Sequence, residues 1–167
     1  MHSLNDTALE SNKYLKINFD GGDLSSDAGL LLVKEFACKL GFDKILKSEF
    51  KTNSSSLSSI RKDDENLWQM VYQILGDYFE DDCADELTSD PVLMAILGKK
   101  ALASQPALSR FFNCMDDATL RQFYDIMRKL RKVVYAIRKP QMILLDLDST
   151  LLDTYGHQEG EGFNFHY

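Results

Sequence analysis

Only three cysteines, Cys38, Cys83 and Cys114, occur in 167 residues, far apart and with no Cys-x-x-Cys pair. That excludes a disulfide framework and a structural zinc site, and it fits a reducing compartment. Histidine is as sparse: His2, His157 and His166 form no ligand cluster with the cysteines. Nowhere does an apolar run approach the ~18 residues of a membrane span, and no signal peptide is visible, so the expectation is a cytoplasmic protein with no membrane partner. Basic charge is also short overall. The net charge of −7 argues against a coat of positive charge made for nucleic acid.

What is present is globular. Hydrophobic residues make up 44% and charged residues 27%, enough for one good core or for one domain and part of another. The charge is very unevenly spread. Between Asp77 and Asp90 lie seven acidic residues and no basic one. Between Arg121 and Lys139 lie seven basic residues (Arg121, Arg128, Lys129, Arg131, Lys132, Arg138 and Lys139) against Asp125 alone. A local patch of this kind can meet a polyanion whatever the total charge.

The chemistry-bearing stretch is Met142-Ile143-Leu144-Leu145-Asp146-Leu147-Asp148-Ser149-Thr150. An apolar run this short, preceded by Pro140, predicts a buried strand rather than a helix. Alternation then puts Asp146 and Asp148 on one face. Two carboxylates on a buried face repel and resist desolvation, and a divalent cation such as Mg²⁺ relieves both costs. The plainer reading is a pair of aspartates capping a turn in water.

Upstream of it the sequence predicts helices. Residues 1–12 are polar and expected to fray. Tyr14–Phe19 alternates as a short strand stopped by Asp20-Gly21-Gly22. Ser25, Ser26 or Asp27 caps a helix carrying Leu30, Val33, Phe36, Ala37 and Leu40, with Gly41 as its stop. Lys51–Ser59 is serine-rich and expected to be flexible. A helix capped by Asp63 or Asp64 is apolar around most of its circumference, which predicts a central position in a bundle.

Asp90-Pro91 opens a short helix that Gly98 ends, and Ser104-Gln105-Pro106 opens another. The pair has helix-turn-helix proportions, with Gln105, Ser109 and Arg110 as candidate DNA contacts. Asp116 or Asp117 caps the longest helix, to about Lys139. Its predicted core seam is Leu120, Phe123, Met127, Leu130, Val134 and Ile137. Arg128, Lys129, Arg131 and Lys132 on its other faces form a plain solvated face, neutralise the acidic 77–90 stretch, or meet phosphates. A turn over Gly156–Gly162 and an alternating Phe163, Phe165 and Tyr167 predict a returning strand.

Two resemblances bear on the aspartates. Asp146-Leu147-Asp148-Ser149-Thr150-Leu151 resembles the first motif of haloacid-dehalogenase-type phosphatases, which would make Asp146 the nucleophile and Asp148 the acid/base. The later Ser/Thr, Lys and acidic residues of such enzymes are missing from the 17 residues after Thr150.

The second resemblance spans nearly the whole chain. Phe19-Asp20-Gly21-Gly22, Ser25–Leu30, Ser89-Asp90-Pro91, Leu102–Pro106, Leu108-Ser109-Arg110-Phe111, Leu145–Thr150 and Tyr155–Gly160 are similar, in order and spacing, to bacterial insertion-sequence DDE transposases (DDE domain group 1). That resemblance implies a mostly α fold: a helical region over 1–139, then, over 140–167, the first hairpin of a ribonuclease-H-like α/β catalytic domain that is truncated. It implies Asp148, with Asp146 as the close alternative, as the first acid of an Asp-Asp-Glu triad holding Mg²⁺ or Mn²⁺ in the full-length enzyme. The implied partners are DNA at the element's terminal inverted repeats, a second copy, or a full-length transposase. With the second aspartate and the glutamate not found, the expectation is that this chain binds no ion stably and is inactive alone. A non-catalytic DNA-binding or regulatory helical module is the remaining alternative.

Overall fold

Trp68 and Tyr72, one turn apart on a single helix, stack with ring centroids 5.2 Å apart and form the middle of the core. The computed structural model describes residues 7–18, 21, 27–54, 62–80, 82–147 and 162. Among them are a two-stranded antiparallel ladder and seven α-helices. The ladder pairs β1 (Thr7–Ala8) with β2 (Lys16–Ile17), Thr7 opposite Ile17 and Ala8 opposite Lys16. The helices are α1 (Leu30–Lys39), α2 (Phe42–Glu49), α3 (Asp63–Leu75), α4 (Cys83–Glu86), α5 (Pro91–Leu97), α6 (Gln105–Phe112) and α7 (Asp117–Ile137).

Helix α3 is central, as its pattern predicts. It packs against α5 and α6, while α1 packs against α2 and α5. Phe42 meets Trp68 edge-on at 4.8 Å. Leu93 and Ile96 of α5 and Leu46 of α2 complete the core around Tyr72, which has no exposed surface.

The interior of α3 is less apolar than its sequence suggests. Asn66, Gln69 and Gln73 are buried beside Leu67, Trp68 and Tyr72, whereas Ile74 and Leu75 lie exposed. Gln69 supplies the reason for one of these. Its amide donates to the Ala103 carbonyl at 2.8 Å and accepts from the Ala103 N–H at 2.6 Å, satisfying a buried strip of backbone before α6.

Several helix ends follow the sequence signals. The Asp90 carboxylate accepts from the Leu93 N–H at 2.7 Å, with Pro91 in the first turn, and Gly98 ends α5 in a left-handed conformation (φ 63°). Asp116 caps α7 through the N–H and hydroxyl of Thr119, at 2.8 and 2.9 Å. Gly41 (φ 70°) does more than stop α1. It turns the chain straight into α2, a helix that a glycine stop after Leu40 does not predict.

Other expectations are corrected. Within the stretch expected to fray, Thr7–Ala8 pairs with β2 and Leu9 is buried. Ser11 fixes it further: its N–H donates to Glu35 at 2.9 Å, which holds the Glu35 carboxyl below its usual range. Lys51–Asn53, expected to be flexible, is pinned. The Gln122 side chain exchanges two hydrogen bonds with the Lys51 backbone, Thr52 donates twice to Asp63, and the Asn53 N–H donates to the Cys114 carbonyl. The serines from 55 to 59 lie outside the described residues, as do Ser25 and Ser26.

The largest correction concerns the segment read as a buried strand. Met142–Leu147 is irregular and exposed, with Leu145 at 87% and Leu147 at 95% of their full accessibility. An apolar run is buried as a strand only where neighbouring strands take up its N–H and carbonyl groups. The one ladder among the described residues, β1 with β2, offers it none. Asp148 and the returning strand over Phe163, Phe165 and Tyr167 lie outside the described residues, so the ribonuclease-H-like hairpin is not seen.

Candidate nucleic-acid interface and the acidic segment

Helix α7 presents three different faces. At about 100° per residue, Thr119, Phe123, Ile126 and Leu130 fall on one side. Thr119 and Ile126 are buried there, and Phe123 packs on Phe50 at 5.3 Å. That side docks on α2. The predicted seam is thus off by part of a turn: Phe123 and Leu130 point inward, but Leu120 is 54% and Met127 57% exposed. The helix carries apolar residues over a wider arc than one neighbour can cover, and spacing by three and four cannot tell which part of the arc the neighbour takes.

The basic residues occupy the solvent side, and they are not equivalent. Lys129 leans back to Glu49 of α2 at 2.5 Å and holds that carboxyl below its usual range. Arg128 pairs with Asp125 one turn before it, at 2.8 Å. Arg121, Arg131 and Lys132 are exposed and make no ion pair with any described residue. Among the described residues, no acid of the 77–90 stretch pairs with α7, so neutralisation of that stretch does not account for the basic face.

The three other candidate contacts sit on α6. Arg110 is exposed, while Gln105 and Ser109 are half-buried; the Gln105 N–H donates to Asp85 at 2.8 Å. Helices α5 and α6 take α3 as their shared packing partner. Phe50 links the α6 and α7 sets from inside, lying against Phe111 at 6.1 Å and Phe123 at 5.3 Å.

Asp146 is exposed on the irregular segment beyond α7. Among the described residues no three His, Cys, Asp or Glu side chains converge to hold a metal ion. The metal implied by the resemblance therefore has no cradle in the described part of the chain, and Asp148 lies outside it.

One polar cleft has no counterpart in the sequence reading. It has a volume of about 180 Å³ and is walled by Lys34, Asp43, Asp64, Glu65, Trp68 and Lys99. Lys34 bonds Asp43 at 3.0 Å and lies 5.4 Å from the Trp68 ring centre, and Lys99 meets Glu65 at 2.6 Å. These two ion pairs tie α1 to α2 and α3 to the end of α5. Sequence separations of this length carry no periodic signal that could have found them.

An exposed basic helix leads directly into an exposed aspartate-bearing segment. Comparison with protein families gives the class: the model for Transposase DDE domain group 1 matches residues 7–167. The chain belongs to that family. The match takes in the helical region that a phosphatase reading of Asp146 leaves unexplained. No curated protein and no solved structure matches the chain. No described helix is long and apolar enough to cross a membrane.

Proposed function

We propose that this chain is the amino-terminal part of a DDE transposase and that it binds insertion-sequence ends. The observation that carries the DNA contact is the face of α7 bearing Arg121, Arg131 and Lys132, exposed and without ion-pair partners among the described residues. Phosphate contacts need cations free to displace counterions, and these three are free where Lys129 is already held by Glu49. Arg110 on α6, with Gln105 and Ser109, is the second set in this reading, nearer to base edges than to phosphates. The helical part extends to about residue 139, and the segment from 140 begins the catalytic portion with its ribonuclease-H-like fold.

In the full-length enzyme Asp148, or Asp146, is the first acid of the Asp-Asp-Glu triad and a ligand for Mg²⁺ or Mn²⁺. In this reading the 167-residue chain has no cleavage activity by itself.

The test uses a labelled duplex carrying an insertion-sequence terminal inverted repeat and a scrambled duplex of equal length. The chain binds at low salt and loses affinity as salt rises. Arg131→Ala with Lys132→Ala flattens the plot of log affinity against log salt by about 0.9 per phosphate contact removed. Lys129→Ala, already neutralised, changes it less. Absence of binding to either duplex at low salt would overturn the DNA reading. Strand cleavage by the pure chain with Mg²⁺ or Mn²⁺, abolished by Asp148→Ala, would overturn the inactivity.

A further inference from the structure

The basic face of α7 does not end at the helix. At about 100° per residue, Arg121 and Lys132 lie within about 20° of each other on its solvent side. Gln122 and Lys129 follow about 80–100° round from Arg121, before the buried Ile126 at about 140°. Both side chains reach across to the chain leaving α2. Lys129 meets Glu49 at 2.5 Å. Gln122 accepts from the Lys51 N–H at 2.8 Å and donates to the Lys51 carbonyl at 3.0 Å.

The chain leaves α2 in an extended conformation at Phe50, and an extended chain turns successive side chains to opposite sides. Phe50 is buried on Phe123, and Thr52 is buried with its hydroxyl donating to Asp63 at 2.8 Å. Lys51, between them, is turned outward and exposed. It makes no ion pair with any described residue. Two carboxylates that could compete for it are turned to other donors. Glu49 accepts from Lys129 and the Ser48 hydroxyl, and Asp63 from the N–H and hydroxyl of Thr52.

We infer that Lys51 is a further phosphate contact and that Gln122 is the residue that positions it. The inference rests on the DNA reading of α7 and widens the surface it uses. Arg121 and Lys132 stand about 16 Å apart along one helix. Lys51 stands beside the Arg121 end, off that line and on a different element, so the three cations span an area rather than a row. A glutamine suits the positioning role. Its amide spends both a donor and an acceptor on the Lys51 backbone and leaves the ammonium for an anion, whereas a carboxylate at 122 would attract that charge to itself.

Titration of the labelled terminal-repeat duplex against salt tests this. Lys51→Ala keeps the backbone groups that Gln122 holds, so its urea midpoint matches that of the parent chain. Its affinity falls about eightfold at 0.1 M salt, and the salt plot flattens by about 0.9, as for Lys132→Ala. Lys13→Ala removes the same charge from the turn between β1 and β2 and changes both far less. Gln122→Ala keeps every charge and still weakens binding. Added to it, Lys51→Ala costs less than in the parent chain, while Lys132→Ala costs as much as before. Lysine acetylation mapped by mass spectrometry shows Lys51 protected by the duplex and Lys13 not. Lys51→Ala that behaves like Lys13→Ala, or Lys51 acetylated equally with and without duplex, would overturn the inference. The DNA reading would still stand if the parent chain bound and Arg131→Ala with Lys132→Ala weakened it. A Lys51→Ala cost that is the same with and without Gln122 would overturn the positioning role. A parent chain that binds neither duplex would overturn the DNA reading and this inference with it.

Discussion

Gln69 and Ala103, thirty-four residues apart, exchange two hydrogen bonds in the core, of 2.8 and 2.6 Å. The side-chain amide stands in for a neighbouring strand, pairing with one N–H and one carbonyl of a backbone segment that has no sheet to join. Gln122 does the same for the exposed Lys51, at 2.8 and 3.0 Å. These two glutamines fix the loops entering α6 and leaving α2, and so fix where α6 and α7 stand.

Loss of the buried member of this pair is costly. Gln69→Ala leaves the Ala103 N–H and carbonyl buried without partners, at about 2–3 kcal/mol. Urea unfolding followed by circular dichroism should show a lower midpoint with an unchanged slope. Gln122→Ala, at an exposed site where water replaces the lost bonds, should shift the midpoint far less.

Tyr72 makes the opposite prediction. Its side chain is fully buried, and its hydroxyl has no hydrogen-bond partner among the described residues. Burial, with the negative charge of Asp43, pushes that hydroxyl well above its ordinary pKa. Tyr72→Phe keeps the stacking on Trp68 and removes an oxygen that was desolvated without return. Stability should be unchanged or raised by up to about 1 kcal/mol, read as a urea midpoint equal to or above that of the parent chain. A large drop would mean that the hydroxyl is bonded after all.

Asp116 gives the chain a specific acid sensitivity. The Thr119 N–H, and then its hydroxyl, hold the Asp116 carboxyl below its usual value of 3.8. The unfolded state therefore takes up the proton first. The cap's contribution is full above pH 3.8 and is lost as pH falls through the lower folded value. Asp116→Asn keeps an acceptor for Thr119 but has no proton to gain. Its unfolding midpoint should decline less steeply than that of the parent between about pH 4 and pH 2. Glu35 and Glu49, whose folded values are also lowered, leave the variant partly sensitive to acid.

Much of the local structure was legible because its cause is local. Asp90-Pro91 and Gly98 bracket α5, and Asp116 opens α7, since a cap is made within four residues of itself. Helix α2 was equally legible in principle. Phe42, Ile45 and Leu46 follow the helical period, but a glycine that ends one helix and a glycine that joins two look the same in sequence. The candidate basic DNA contacts were legible as residues and not as a surface, because only the fold shows that Glu49 takes Lys129 while Arg131 and Lys132 pair with no acid among the described residues.

The sequence by itself determined α1, α3, α5, α6 and α7, the caps of α5 and α7, the uneven charge and, through the order of its short motifs, the transposase family. Each of these depends on neighbours along the chain. Tertiary structure alone decided which arc of α7 faces the core, which polar groups α3 buries, and that Met142–Leu147 stands in water rather than in a sheet. The physical reason is the same in each case: burial depends on which surface lies opposite, and spacing along one segment does not contain the position of another.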